Sequence, residues 1–284
     1  MKQCKALLRK EWNTHKAGFL MPLWFTGGVY VTALLGWIIS LIKGSGIVYQ
    51  IQTGEIPFGM ENLLLYTGSA GAAALLGFVS LVTAISLSDS LINGGFKRRC
   101  EILHLSQPVA FSKIAITKYL FICAGTILLY GALSLVNSLV ISLGTGYLIH
   151  TQTYYGLVGW LQIWILMSLS ILFMASLFWF FAGLFKRKSF FMGILTIMAI
   201  QAVISILNYT AGWHIPSLAS YLADLVAVNV SFDPESTNLG IQNINLVIQQ
   251  AWQNIFSWNS LLKVIYSAVL FIGGAWLYKR RELT

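Results

Sequence analysis

SLSDSLINGGFKRRCEILHLSQPVAFSKIAITKY, residues 86–119, decides how this chain is read. It holds Asp89, Lys97, Arg98, Arg99, Glu101, Lys113 and Lys118. The tract before it, 62–88, and the tract after it, 119–185, contain no charged residue. A helix needs about 20 mostly apolar residues to cross a bilayer. Both flanking tracts exceed that, so the charged island is a polar connection between membrane spans.

The whole chain supports this. Of its 284 residues, 57% are hydrophobic and 10% charged, where a soluble domain carries roughly 25% charged residues. Mean hydropathy is +0.75. The formal net charge of +9 does not indicate nucleic-acid binding. Its basic residues are dispersed between apolar spans rather than gathered with aromatics on a folded patch. Cys4, Cys100 and Cys123 have neither metal-ligand spacing nor a disulfide framework. The polar N-terminal segment and the long first span do not fit a cleaved signal peptide, so that span is expected to stay attached.

Hydropathy and length predict an all-α membrane protein with six spans: 20–42, 63–87, 115–143, 158–185, 189–209 and 258–278. The tract 119–185 is too long for one helix and is split near Gly144, Gly146, His150 and Gly156. Residues 1–19 form an amphipathic segment with Leu8, Trp12 and Phe19 on one side. A connection at 88–114 and a longer one at 210–257 complete the six-span domain 20–284. In the longer one, Leu218, Tyr221, Leu222 and Leu225, then Ile241, Ile244, Ile248, Trp252 and Ile255, recur at helical spacing. Two short amphipathic helices are predicted, lying on the membrane surface or capping an exit path.

Sixteen of the 18 Lys and Arg residues fall on alternate segments: before span one, in the 88–114 loop, in the 186–188 turn and in the tail. Only Lys43 and Lys263 fall on the other side, Lys263 near a span end where it would be free to snorkel. Cytoplasmic connections carry the excess of basic residues. Both termini and the island are therefore expected in the cytoplasm.

No G-x-x-x-x-G-K-[ST], H-E-x-x-H or G-x-S-x-G pattern occurs, and no zinc-spaced Cys/His set. His104 and His150 fall on opposite sides of the membrane in this topology. GSAG, 68–71, lies within span two, where small residues permit close helix packing. No acid or base is expected at mid-depth, where ion- and proton-coupled carriers usually need one. Milder polar residues remain: Ser134, Asn137, Ser138, Gln162, Gln201 and Asn208. They serve as interhelical hydrogen bonds, worth about 0.6 kcal/mol each. Alternatively, Asn137, Gln162, Gln201 and Asn208 line a route for a large amphipathic substrate. Trp160, Trp164, Phe178, Trp179 and Phe180 are read as lipid-facing packing.

In the island, Phe96, Ile102 and Leu103 offer an apolar edge, and Lys97, Arg98, Arg99 and Glu101 a charged one. Pro108 forces a turn. The prediction is a short cytoplasmic helix held between two spans. The competing reading is a solvated basic loop on anionic headgroups.

An acidic residue, a short apolar run, Pro-Val and a basic residue before a span resemble the loop between helices two and three of ABC-2 type transporter permeases. Here the pattern reads Glu101-Ile102-Leu103, Gln107-Pro108-Val109, Lys113, Lys118. Where that family often has Gly-Thr before the acid, this chain has Arg99-Cys100. The resemblance implies the type V permease fold, with residues 1–19 as a connecting helix. It implies a coupling helix bearing Lys97, Arg98, Arg99, Glu101, Ile102, Leu103 and Pro108, docked on a separate ATPase that holds the ATP and magnesium. Leu8, Trp12 and Phe19 would touch that ATPase or the membrane surface. A second permease, identical or homologous, would complete the pathway, with no nucleic acid and no ATPase site in this chain. The implied function is export of a peptide, lipid or drug-like substrate across a plasma membrane, bacterial by expectation. The alternative is a membrane scaffold regulated by an ABC ATPase without transport.

Overall fold

The computed structural model describes residues 2–42, 60–97, 110–149, 152–186, 188–227 and 244–282. Among them every regular element is a helix: α1 (Lys2–Phe19), α2 (Met21–Ile42), α3 (Met60–Lys97), α4 (Phe111–Ile149), α5 (Tyr154–Leu184), α6 (Ser189–Ala211), α7 (Leu218–Val226), α8 (Ile244–Ile255) and α9 (Trp258–Glu282). Six helical runs are long and apolar enough to cross a membrane. Over the described residues the protein is thus all-helical, and its six apolar runs make it a multi-pass membrane protein.

Chain chemistry explains the breaks. Pro22 stands in the first turn of α2, where its missing N–H costs no helical bond. The split in the tract 119–185 falls between Ile149 and Tyr154. Gly144 and Gly156 are both helical. Gly212, at φ 64°, ends α6 in the left-handed conformation that glycine adopts without strain. Ser217 begins α7 by accepting from Ser220 N at 3.3 Å.

α5 is the central helix. It packs most extensively against α3 and α9, then α4. Two glycine crossings permit this closeness. A Cβ on Gly183 of α5 would lie 2.8 Å from the Gly274 carbonyl of α9. A Cβ on Gly159 would lie 2.8 Å from the Tyr66 carbonyl of α3. Without hydrophobic driving force between helices in lipid, such backbone approach is what helix packing relies on.

α2 and α6 lie on the outside. Pro22 and Thr26 are the buried residues of α2, and Ser189 and Gly193 those of α6. Most of their other apolar side chains are exposed, as expected where the surroundings are hydrocarbon. The aromatic reading of α5 is partly corrected. Phe178 and Trp179 are buried rather than lipid-facing, because α4, α6 and α9 close around them. Trp160, Trp164 and Phe180 are half-buried.

Candidate functional site at the basic end of the bundle

α1, the two helix ends that border the island, the α5–α6 turn and the end of α9 gather at one end of the bundle. Side-chain contacts knit these helix ends together. Lys118 enters from the second turn of α4 and is 7% exposed. Its Nζ donates to Leu91 O of α3 at 2.9 Å and to the Tyr278 hydroxyl of α9 at 3.1 Å. The ammonium stands 5.2 Å from the Tyr278 ring centroid. It therefore sits beside the hydroxyl rather than over the ring face, and the hydrogen bond rather than a cation–π contact is the main tie. Phe111 and Tyr278 pack with ring centroids 5.3 Å apart. Both flanks of the island are thus tied to each other and to α9.

The neighbouring tie joins α3 to α6. Asp89 accepts from Asn93 Nδ2 at 2.7 Å and from the hydroxyl of Ser189. Ser189 is the first residue of α6, so the carboxylate sits where the helix dipole favours negative charge. Just before it, Lys188 takes a left-handed φ of 50°, reversing the chain within the short α5–α6 turn.

α1 docks across the same end. Its inward face carries Glu11, His15 and Phe19 rather than an all-apolar stripe. His15 Nε2 is 3.8 Å from Glu11 Oε2, and His15 Nδ1 is 3.1 Å from the Ser90 hydroxyl. Phe19 is buried with its ring centroid 5.2 Å from that of Phe121. A Cβ at Gly125 would lie 2.9 Å from the Phe19 ring, so glycine makes the seat for it.

The candidate residues read from sequence are distributed unevenly. Lys97 closes α3; Arg98, Arg99, Glu101, Ile102, Leu103 and Pro108 lie outside the described residues, as do His104 and His150. Leu8 and Trp12 are exposed, whereas Phe19, at the end of α1, is buried, so burial on this side of α1 depends on position along the helix. Trp12 still meets Phe19 edge-on, at 5.2 Å between centroids.

Asn137, Gln162, Gln201 and Asn208 do not converge on one cavity. Asn137 accepts from Tyr30 of α2 at 2.7 Å. Gln162 is fully buried, accepts from the Tyr66 hydroxyl at 2.7 Å and donates to Ile248 O of α8 at 2.9 Å. Gln201 accepts from the Ser217 hydroxyl and Ala219 N, each at 3.2 Å. Asn208 donates to Ile215 O at 2.9 Å and accepts from Ile215 N at 3.0 Å. The last two fold the link between α6 and α7 back along α6.

Lys263 is a correction. It does not snorkel: it is 3% exposed, and its Nζ donates to the Ser170 hydroxyl of α5 at 3.1 Å. Ser170 Oγ lies 3.2 Å from Val226 O at the end of α7. The packing of α7 over this point closes the route by which a lysine stem reaches an interface.

Sequence reasoning missed Glu11 and His15, and it singled out Asp89 and Lys118 without their partners Ser189 and Tyr278. Their signal was modest: lone polar residues in α1 or close to the polar ends of spans. Compared with known protein families, with curated proteins and with solved structures, the chain matches none.

Proposed function

We propose that the chain is the membrane permease subunit of an ABC-2 type exporter, forming a translocation pathway driven by a separate ATPase. The observation that carries this reading is the Lys118 tie. The helices entering and leaving the charged island are locked to one another through Lys118, Leu91 and Tyr278. A force applied at 98–109 would then act on α3, α4 and α9 together, which is what a coupling element requires. A solvated headgroup-binding loop has no need of such a rigid base.

In this account Lys97, Arg98, Arg99 and Glu101 meet the ATPase, and Ile102 and Leu103 fill an apolar part of its groove. Pro108 sets the angle at which motion enters α4. ATP shifts the complex only by favouring one docked state over another. Both termini are cytoplasmic, the membrane is a bacterial plasma membrane, and a second permease, identical or homologous, faces this one.

Purification of the full chain from native membranes tests the proposal. A Walker-type ATPase should accompany it in stoichiometric amount, and the chain stripped of that partner should turn over no ATP. Purification without an ATPase, or mutation-sensitive hydrolysis by the chain alone, would contradict it.

A further inference from the structure

α2, α3 and α4 enclose a cleft of about 200 Å³, open on one side. Phe25, Val29, Leu75 and Val140 form much of its wall. Few polar groups reach it. The Thr26 hydroxyl is already donated to Pro22 O at 2.8 Å. The Tyr30 hydroxyl is donated to Asn137 Oδ1 at 2.7 Å. The amide nitrogen of Asn137 keeps two N–H donors with no acceptor among the described residues.

Depth narrows the occupant. Tyr30 sits about 14 Å from the start of α2 and about 18 Å from its end at 1.5 Å per residue. In a hydrocarbon layer about 30 Å thick, the Tyr30–Asn137 pair is near the middle. Water finds too few partners against these walls to fill the cleft. A phospholipid anchored by its headgroup brings only hydrocarbon to this depth, because its ester oxygens stay near the interface. The free amide donors call for an acceptor that is itself dissolved in the membrane interior.

We propose that the cleft binds a long-chain ester or amide, its hydrocarbon along Phe25, Val29, Leu75 and Val140 and its carbonyl accepting from Asn137 Nδ2. This rests on the cleft alone and is independent of the transporter reading.

The test uses the full chain in vesicles of phosphatidylethanolamine and phosphatidylglycerol. They contain a trace of diazirine-bearing cetyl palmitate or of a diazirine alkane of equal length. After photolysis, adducts are mapped by peptide mass spectrometry. Ester adducts at Phe25 and Val29 should exceed those on the exposed face of α6, at Val203 and Ile206, by about fivefold, the scale of one net hydrogen bond. Asn137→Leu should lower the ester-to-alkane ratio at Val29 by a similar factor. Val140→Trp, which fills the cleft, should remove ester adducts from Val29. Equal ester labelling of cleft and α6, a ratio unchanged by Asn137→Leu, or ester adducts persisting in Val140→Trp would overturn the proposal.

Discussion

Lys118 and Lys263 are both buried, and among the described residues each donates to neutral oxygens. Lys118 finds a backbone carbonyl and a phenol near one end of the bundle. Among the described residues, Lys263 finds a serine near the other. A buried charge that loses its hydrogen-bond partner costs more than one replaced by an apolar chain of similar shape. Ser170→Ala should therefore destabilise the protein by about 1–3 kcal/mol. Lys263→Met should be near neutral or stabilising, and adding it should rescue Ser170→Ala. Unfolding of the purified protein in mixed micelles reads all three variants. A Lys263→Met variant less stable than Ser170→Ala would show that the ammonium has a favourable partner beyond Ser170. These pairings were not legible in the sequence, because the partners are distant in the chain. The types of residue were visible, but only the fold decides which helix faces each one.

At the level of elements, span number and the need for a break within 119–185 were legible, since both follow from apolar length; the glycines at 144 and 156 did not mark it, both being helical. The extents were less so. α3 runs to Lys97, past the apolar tract expected to end at 87. Leu91, Ile92 and Asn93 are buried there, and tertiary packing carries the helix through polar sequence and past Gly94. The amphipathic segment shows the same limit. Reading apolar spacing alone selects Leu8, Trp12 and Phe19, whereas packing turns Glu11 and His15 inward with Phe19. The crossing of α5 and α9 gives a sharp test. Gly274→Ala would bring a Cβ within 2.5 Å of Trp179 Cδ1 and 3.0 Å of Phe180 Cα. It should cost about 1–3 kcal/mol. Gly36→Ala in α2 meets nothing within 4 Å and should leave stability unchanged or slightly raised. Similar thermal stability of the two variants in detergent would contradict the packing described for α5 and α9.

For the whole molecule, the asymmetry of basic residues and the antiparallel bundle agree on one feature: the segments flanking the Lys118, Asp89 and Phe19 ties are the basic ones. Single cysteines at positions 106 and 236, with Cys4, Cys100 and Cys123 replaced, should report the orientation in intact cells. An impermeant maleimide should label 236 and spare 106; the reverse pattern would invert the topology. The central claim is that the island couples a partner ATPase to the spans, and its direct test is charge reversal at Glu101. Loss of a buried charged partner at an interface costs about 2–5 kcal/mol, while a rim charge costs little. Glu101→Lys, expressed at the wild-type level, should lose the ATPase in pull-down or leave a complex whose ATP turnover no longer drives transport into vesicles. Pro108→Ala should keep the partner and weaken transport. A headgroup-binding loop predicts that both variants behave as wild type, and that result would contradict the account.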